Sequence, residues 1–247
     1  IEAAITAKIK EADDKVHAWL LVAGLGAALL TLAAGIAGIG LERDWRPLVR
    51  AAGIWAFLVP LSCAVCHRML PFFTASALPD TFLWRPWWLL IILQCGAWLH
   101  GTMDYADAHR WIWLVDLPLA MACFAMVWRW GLLQSLRNRL LAMLHLSFVW
   151  LSIGYALSAL QSLLLVAGVD ALGSAPLHAV TIGFLASIAL AMVTRVTCGH
   201  SGRTLAADNI TWWVFLIFQT TAVLRVAAEV FPAYYSGLVF LAAALWL

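Results

Sequence analysis

Time after time along this chain, about 20 residues pass with scarcely a charge, which is the length an α-helix needs to cross the hydrocarbon of a bilayer. The runs extend from Trp19 to Gly40, Leu48 to Cys66, Phe82 to His100, Trp111 to Trp130, Leu140 to Val169, Leu177 to Thr197 and Ile210 to Phe231. Another begins at Tyr234 and is cut by the end of the sequence. Backbone N–H and C=O groups find no water inside a bilayer, so such runs must satisfy them internally as helices. The expected fold is therefore all-α, a polytopic transmembrane helical bundle of about seven complete spans and one truncated span. Residues 1–18 differ: Ile1, Ile5, Ile9 and Val16 share a helical face among Lys8, Lys10, Asp13, Asp14 and Lys15. They are expected to form an amphipathic cytoplasmic segment. Residues 19–247 form the transmembrane domain. The chain opens on Ile1 and closes inside LVFLAAALWL, so that domain reads as incomplete at both ends, with no signal peptide.

Composition removes several function classes. A net charge of +2, without a basic run, gives no footprint for nucleic acid. Five cysteines lie within or beside apolar runs and do not form the framework of a small secreted domain. Tryptophans such as Trp19, Trp84, Trp111, Trp128, Trp130 and Trp212 stand where apolar runs end, as interfacial belts require. Lys8, Lys10, Lys15, Arg68, Arg85, Arg129, Arg137, Arg139, Arg195 and Arg203 fall on one side of the alternating loops, against Arg43, Arg46, Arg50 and Arg110 on the other. Cytoplasmic loops carry the excess, so the first set is expected inside.

That orientation sorts the polar residues into two layers. His67 with Arg68, His145, and Thr194, Arg195, His200 and Arg203 are expected near the cytoplasmic face, with His100, Asp104, Asp107, His109, Asp116, His178, Arg225 and Glu229 near the outer face. Neutral imidazole ligates iron, copper or zinc and tolerates apolar packing, and helix bundles build cofactor sites from facing side chains. A single histidine on an apolar face is more often a hydrogen-bonded packing residue; the layering raises the metal reading above that base. His178 and His200 stand on the order of 30 Å apart along one helix, too far to share a mononuclear metal. His67, His145 and His200 are thus expected in one inner site, and His178, with His100, in an outer one. Cys63-Ala64-Val65-Cys66-His67 spells the attachment sequence of c-type haem. Its expected place, in the last turns of a helix at the cytoplasmic side, argues against covalent haem.

Three stretches carry a resemblance: HRMLPFFTASALP from His67, LHLSFVWLSIGYAL from Leu144, and HAVTIGFLASIALAMVTRVTCGHSGR from His178 to Arg203. They resemble the NnrS family of bacterial membrane proteins, of whose length the chain would cover about the C-terminal two-thirds. In the third stretch, Thr181, Gly183, Ala186, Ser187 and Ala189 keep the helix slim, and Gly199 is expected to end it so that His200 and Arg203 project. The resemblance implies a multi-pass protein of the bacterial cytoplasmic membrane holding non-covalent, b-type haem and copper, associated with denitrification and resistance to nitric oxide stress. It carries over to His67, Arg68, His145, His178, Thr194, Arg195, Gly199, His200, Gly202 and Arg203; His100 rests on its layer alone. Arg203 or Arg225 could pair with haem propionates, since guanidinium matches a carboxylate. The implied partners are nitric oxide, the lipid bilayer and an electron donor that the residues do not name, and no catalytic group stands out. Two readings compete: a secondary transporter working through Asp116, Arg225 and Glu229, and a metal-free scaffold.

Overall fold

A computed structural model describes residues 15–41, 44–78, 84–202 and 205–246. Their regular structure is helical throughout, with no strand among the described residues. The principal helices are α1 (Lys15–Gly40), α2 (Arg46–Ala77), α3 (Trp87–Tyr105), α4 (Trp113–Arg129), α5 (Arg139–Val166), α6 (Ala175–His200), α7 (Asn209–Val230) and α8 (Tyr235–Trp246). Five of them, α1, α2, α5, α6 and α7, are long and apolar enough to cross a membrane. The expected spans Phe82 to His100 and Trp111 to Trp130 do form helices, as α3 and α4, but these are only 19 and 17 residues long. Of the expected amphipathic segment, residues 1–14 lie outside the described residues.

The largest boundary change is in α2, which does not stop at Cys66 but continues to Ala77. Its 32 residues correspond to about 48 Å of helix. The start is fixed by Asp44, whose carboxylate accepts from both the backbone N–H and the side chain of Arg46. Pro47 follows in the first turn, where its missing N–H costs nothing. The Arg46 guanidinium, with that backbone N–H, holds the Asp44 carboxyl at about 2, below its usual 3.8. The far end runs through Pro71 and closes beyond Thr74.

Two compact units divide the chain. The first comprises Ile1–Met69 with Arg85–Ala108 and the second Leu70–Trp84 with His109–Leu247. In the first, α1 and α3 pack on a π-helical stretch of α2, Ala52–Leu58. A side chain at Gly101 of α3 would place its Cβ 2.6 Å from the Trp55 side chain, so glycine is what lets the helices approach. In the second, α5 is buried around most of its circumference from Leu140 to Tyr155, as a helix apolar on all sides should be.

The second unit also contains a π-helical stretch, Ala179–Ala186 in α6. Here Ser187 donates to the Ile182 carbonyl at 3.2 Å, and accepts from Gln219 Nε2 of α7 at 2.8 Å. Gln219 in turn accepts from Trp150 Nε1 of α5 at 2.8 Å. The widened turn is thereby tied by side-chain hydrogen bonds to both neighbours, and Gly183 lets the Trp150 ring lie directly on its backbone. A Cβ at Gly183 would overlap that ring, an overpacking that costs about 1–3 kcal/mol. Gly183→Ala is therefore expected to lower the thermal midpoint of the detergent-solubilised protein. Gly237→Ala, where a Cβ meets nothing within 4 Å, should leave it unchanged; equal midpoints for both variants would contradict this packing.

Candidate functional site

In the second unit, the three stretches singled out in the sequence meet at one place. The last turns of α2 contribute Phe73 and Thr74, α5 contributes His145, and α6 contributes Arg195. His145, seven residues into α5 counting Arg139 as the first, is fully buried. Its Nε2 lies 2.9 Å from Thr74 Oγ1. The Thr74 hydroxyl has one proton, which it donates to the Leu70 carbonyl at 2.9 Å. Thr74 must accept from His145, so the imidazole proton sits on Nε2 and the lone pair on Nδ1. That Nδ1 is buried with no hydrogen-bond partner among the described residues. Such a nitrogen is rare in a packed interior, where nearly every polar atom is satisfied. The Arg195 guanidinium lies 4.7 Å from the centre of the ring of Phe73, which precedes Thr74 in the chain. A ligating histidine ordinarily donates its second N–H to a fixed acceptor, which orients the ring and sets the tautomer; Thr74 occupies that position.

The first unit brings together a second pair. His17 of α1 and His67 of α2 are both buried, with His17 Nε2 3.1 Å from His67 Nδ1. His67 Nε2 lies 3.2 Å from the Pro86 carbonyl, which can only accept. His67 therefore carries its proton on Nε2 and presents Nδ1 to His17. Trp87 packs on both rings, with centroid separations of 4.9 and 6.0 Å. Cys63 and Cys66, preceding His67 in the C-x-x-C-H run, are buried free thiols.

At the other end of α6, Arg225 Nη2 lies 2.7 Å from His178 Nε2. Guanidinium has only donors, so His178 accepts here and its Nε2 lone pair is in use. Glu229 Oε1 stands 3.6 Å from the same nitrogen. Room for this carboxylate comes from Gly173, whose φ of +44° suits glycine and whose missing Cβ would stand 2.5 Å from Glu229 Oε2. Arg225 and Glu229, one turn apart on α7, thus both stand against His178.

The remaining expected residues are scattered. His100 of α3 is buried against Trp55, with ring centroids 3.8 Å apart. Asp116 is fully buried in α4. His200 is the exposed last residue of α6, Arg68 is exposed on α2, and Thr194 spends its hydroxyl on the Leu190 carbonyl. Arg203 lies outside the described residues. Gly199 does not end α6: the helix runs through His200, and the glycine in the left-handed region is Gly202, at φ +67°. A C-terminal glycine is needed where φ turns positive, which happens after the last helical residue. His17 was missed in the sequence because it sits alone at the edge of an apolar run, without a motif. Among the described residues no three His, Cys, Asp or Glu side chains are grouped to hold a metal by themselves. A haem, which brings four nitrogens of its own, needs only one or two axial donors from the chain.

Set against known proteins, the chain matches over residues 3–247 the family model described as NnrS protein. No curated protein and no solved structure matches it.

Proposed function

The chain belongs to the NnrS family, and from that premise we propose that it is a haem- and copper-binding protein of the bacterial cytoplasmic membrane, crossing it several times and acting in nitric oxide metabolism. The observation that carries the reading is the buried, unpartnered Nδ1 of His145. A histidine that holds haem iron would need such a free nitrogen, and Thr74 already orients this ring. In this proposal His145 holds haem iron, Thr74 fixes the ring, and the Arg195 guanidinium pairs with a haem propionate. Bound haem supplies an iron at which a diatomic ligand and an electron can meet.

The donor set in the first unit fits copper. Imidazole nitrogen suits copper, and His17 and His67, whose Nε2 and Nδ1 lie 3.1 Å apart, would be the residues to hold it. The Pro86 carbonyl plays for His67 the part that Thr74 plays for His145. We place no metal on His178, because Arg225 uses its ligating lone pair. His100 packs on Trp55 and His200 is exposed, so neither is given a ligand role here.

The test is an absorption spectrum of the purified protein, oxidised and reduced, with a pyridine haemochrome assay and copper analysis. Non-covalent haem is expected, extractable into acid acetone and retained by Cys63→Ala with Cys66→Ala. Haem that stays on the denatured chain and disappears in that double variant would restore the C-x-x-C-H reading. A colourless, metal-free protein would favour transport through Asp116, Arg225 and Glu229, or a scaffold.

A further inference from the structure

A second site lies in the first unit and uses none of the residues assigned to metal. Between α1, α2 and α3 there is a pocket of about 510 Å³ lined by Leu20, Gly24, Ala56, Pro60, Gln94 and Trp98. Gly24 and Ala56 stand well inside two helices long enough to span, so the pocket lies within the hydrocarbon layer. Its rim carries Cys95, Trp98 and Leu99, all exposed, so it opens sideways toward lipid. Its walls are apolar apart from Gln94 and Thr102. Gln94 donates Nε2–H to the Pro60 carbonyl at 2.8 Å, which anchors the amide and leaves its Oε1 with no hydrogen-bond donor among the described residues. An amide oxygen inside hydrocarbon without a donor is costly, because neither lipid nor water supplies one. One helical turn beyond Gln94 on the same face, Trp98 adds an aromatic surface. Thr102, two turns beyond Gln94, uses its proton on the Leu99 carbonyl and so offers a further acceptor.

An acyl chain would fill such a pocket but leave Gln94 unsatisfied. A ligand that satisfies it must be lipophilic, must have an aromatic ring for Trp98, and must carry an O–H donor on that ring. We infer that the Gln94–Trp98 pocket is a binding site for a membrane-soluble aromatic diol of the quinol class, held by a hydroxyl donated to Gln94 Oε1 and a ring packed on Trp98.

The test compares two probes of one shape: a decyl-substituted benzoquinol, kept reduced under nitrogen, and its dimethyl ether, which has no donor. Binding is measured by equilibrium dialysis of the protein in nanodiscs, with empty nanodiscs subtracted. The quinol is expected to bind at least about ten-fold more tightly than the ether, the range of a buried hydrogen bond kept or lost. Gln94→Leu should bring the two to equal affinity, and Trp98→Leu should weaken both several-fold. The comparison of probes on the unaltered protein does not depend on any variant folding. Equal affinity of quinol and ether for it would make the pocket a groove for lipid chains, and no binding of either above empty nanodiscs would mean that another part of the assembly fills it; both results overturn the inference.

Discussion

His145→Ala is expected to abolish haem binding, lowering haem per protein about ten-fold or more while the chain still folds. The size of the effect follows from the proposed bonding, since the variant would delete the protein donor to the iron outright. Thr74→Val tests the same geometry more gently. Valine has threonine's shape but cannot accept from His145 Nε2, so the ring keeps its space and loses its orienting partner. Loss of such a partner commonly weakens a metal site about 10–100-fold. The order His145→Ala, then Thr74→Val, then unaltered protein is thus expected in a haem titration of the apoprotein. Full haem content in purified His145→Ala would remove the assignment. If Thr74→Val behaved as the unaltered protein while His145→Ala lost haem, the orienting role alone would fall.

Arg225→Leu is expected to carry the largest stability cost among single changes at the His178 end of α6. The guanidinium both hydrogen-bonds His178 and supplies the positive charge one turn from Glu229. Without it, a carboxylate only 15% exposed is left against an imidazole lone pair. Removing one member of a buried charged set costs up to 3–5 kcal/mol, and here partial exposure brings the expectation to about 2 kcal/mol. Glu229→Gln in the same chain removes the stranded charge, so the double variant should recover about half of the loss. Recovery is read from thermal midpoints in detergent. Additive losses in the double variant would mean that the two side chains do not share one environment.

The helices were legible in the sequence because each apolar run stands out against the polar joints, and each of the eight expected runs coincides largely with a helix. Where α2 ended was not legible. The polar pair His67-Arg68 and then Pro71 look like the start of a loop, yet a proline inside a membrane helix is tolerated where neighbours satisfy the freed backbone groups. The site was legible as residue types more than as partnerships. His145 was named from its stretch, but its tautomer depends on the destination of one Thr74 proton, which no spacing encodes. Nothing in the order of residues shows that Arg225, 47 positions away, reaches His178 Nε2. The inner layer expected to unite His67, His145 and His200 was drawn from depth alone; His67 belongs to the first unit and the other two to the second, a division that no spacing in the sequence encodes. Depth along a membrane normal does not determine which neighbours a helix faces.

The π-helical stretch at Ala179–Ala186 changes how α6 should be counted. A π turn closes its hydrogen bond one residue later than an α turn, so it acts as a single inserted residue. Beyond it, every side chain is displaced by about 100° around the axis from where an unbroken α-helix would put it. Thr194, Arg195 and His200 therefore face directions that a helical wheel drawn from His178 would misplace by more than a quarter turn. In related chains that lack the widened turn, the residue equivalent to Arg195 should be found one position earlier relative to the histidine that opens the helix.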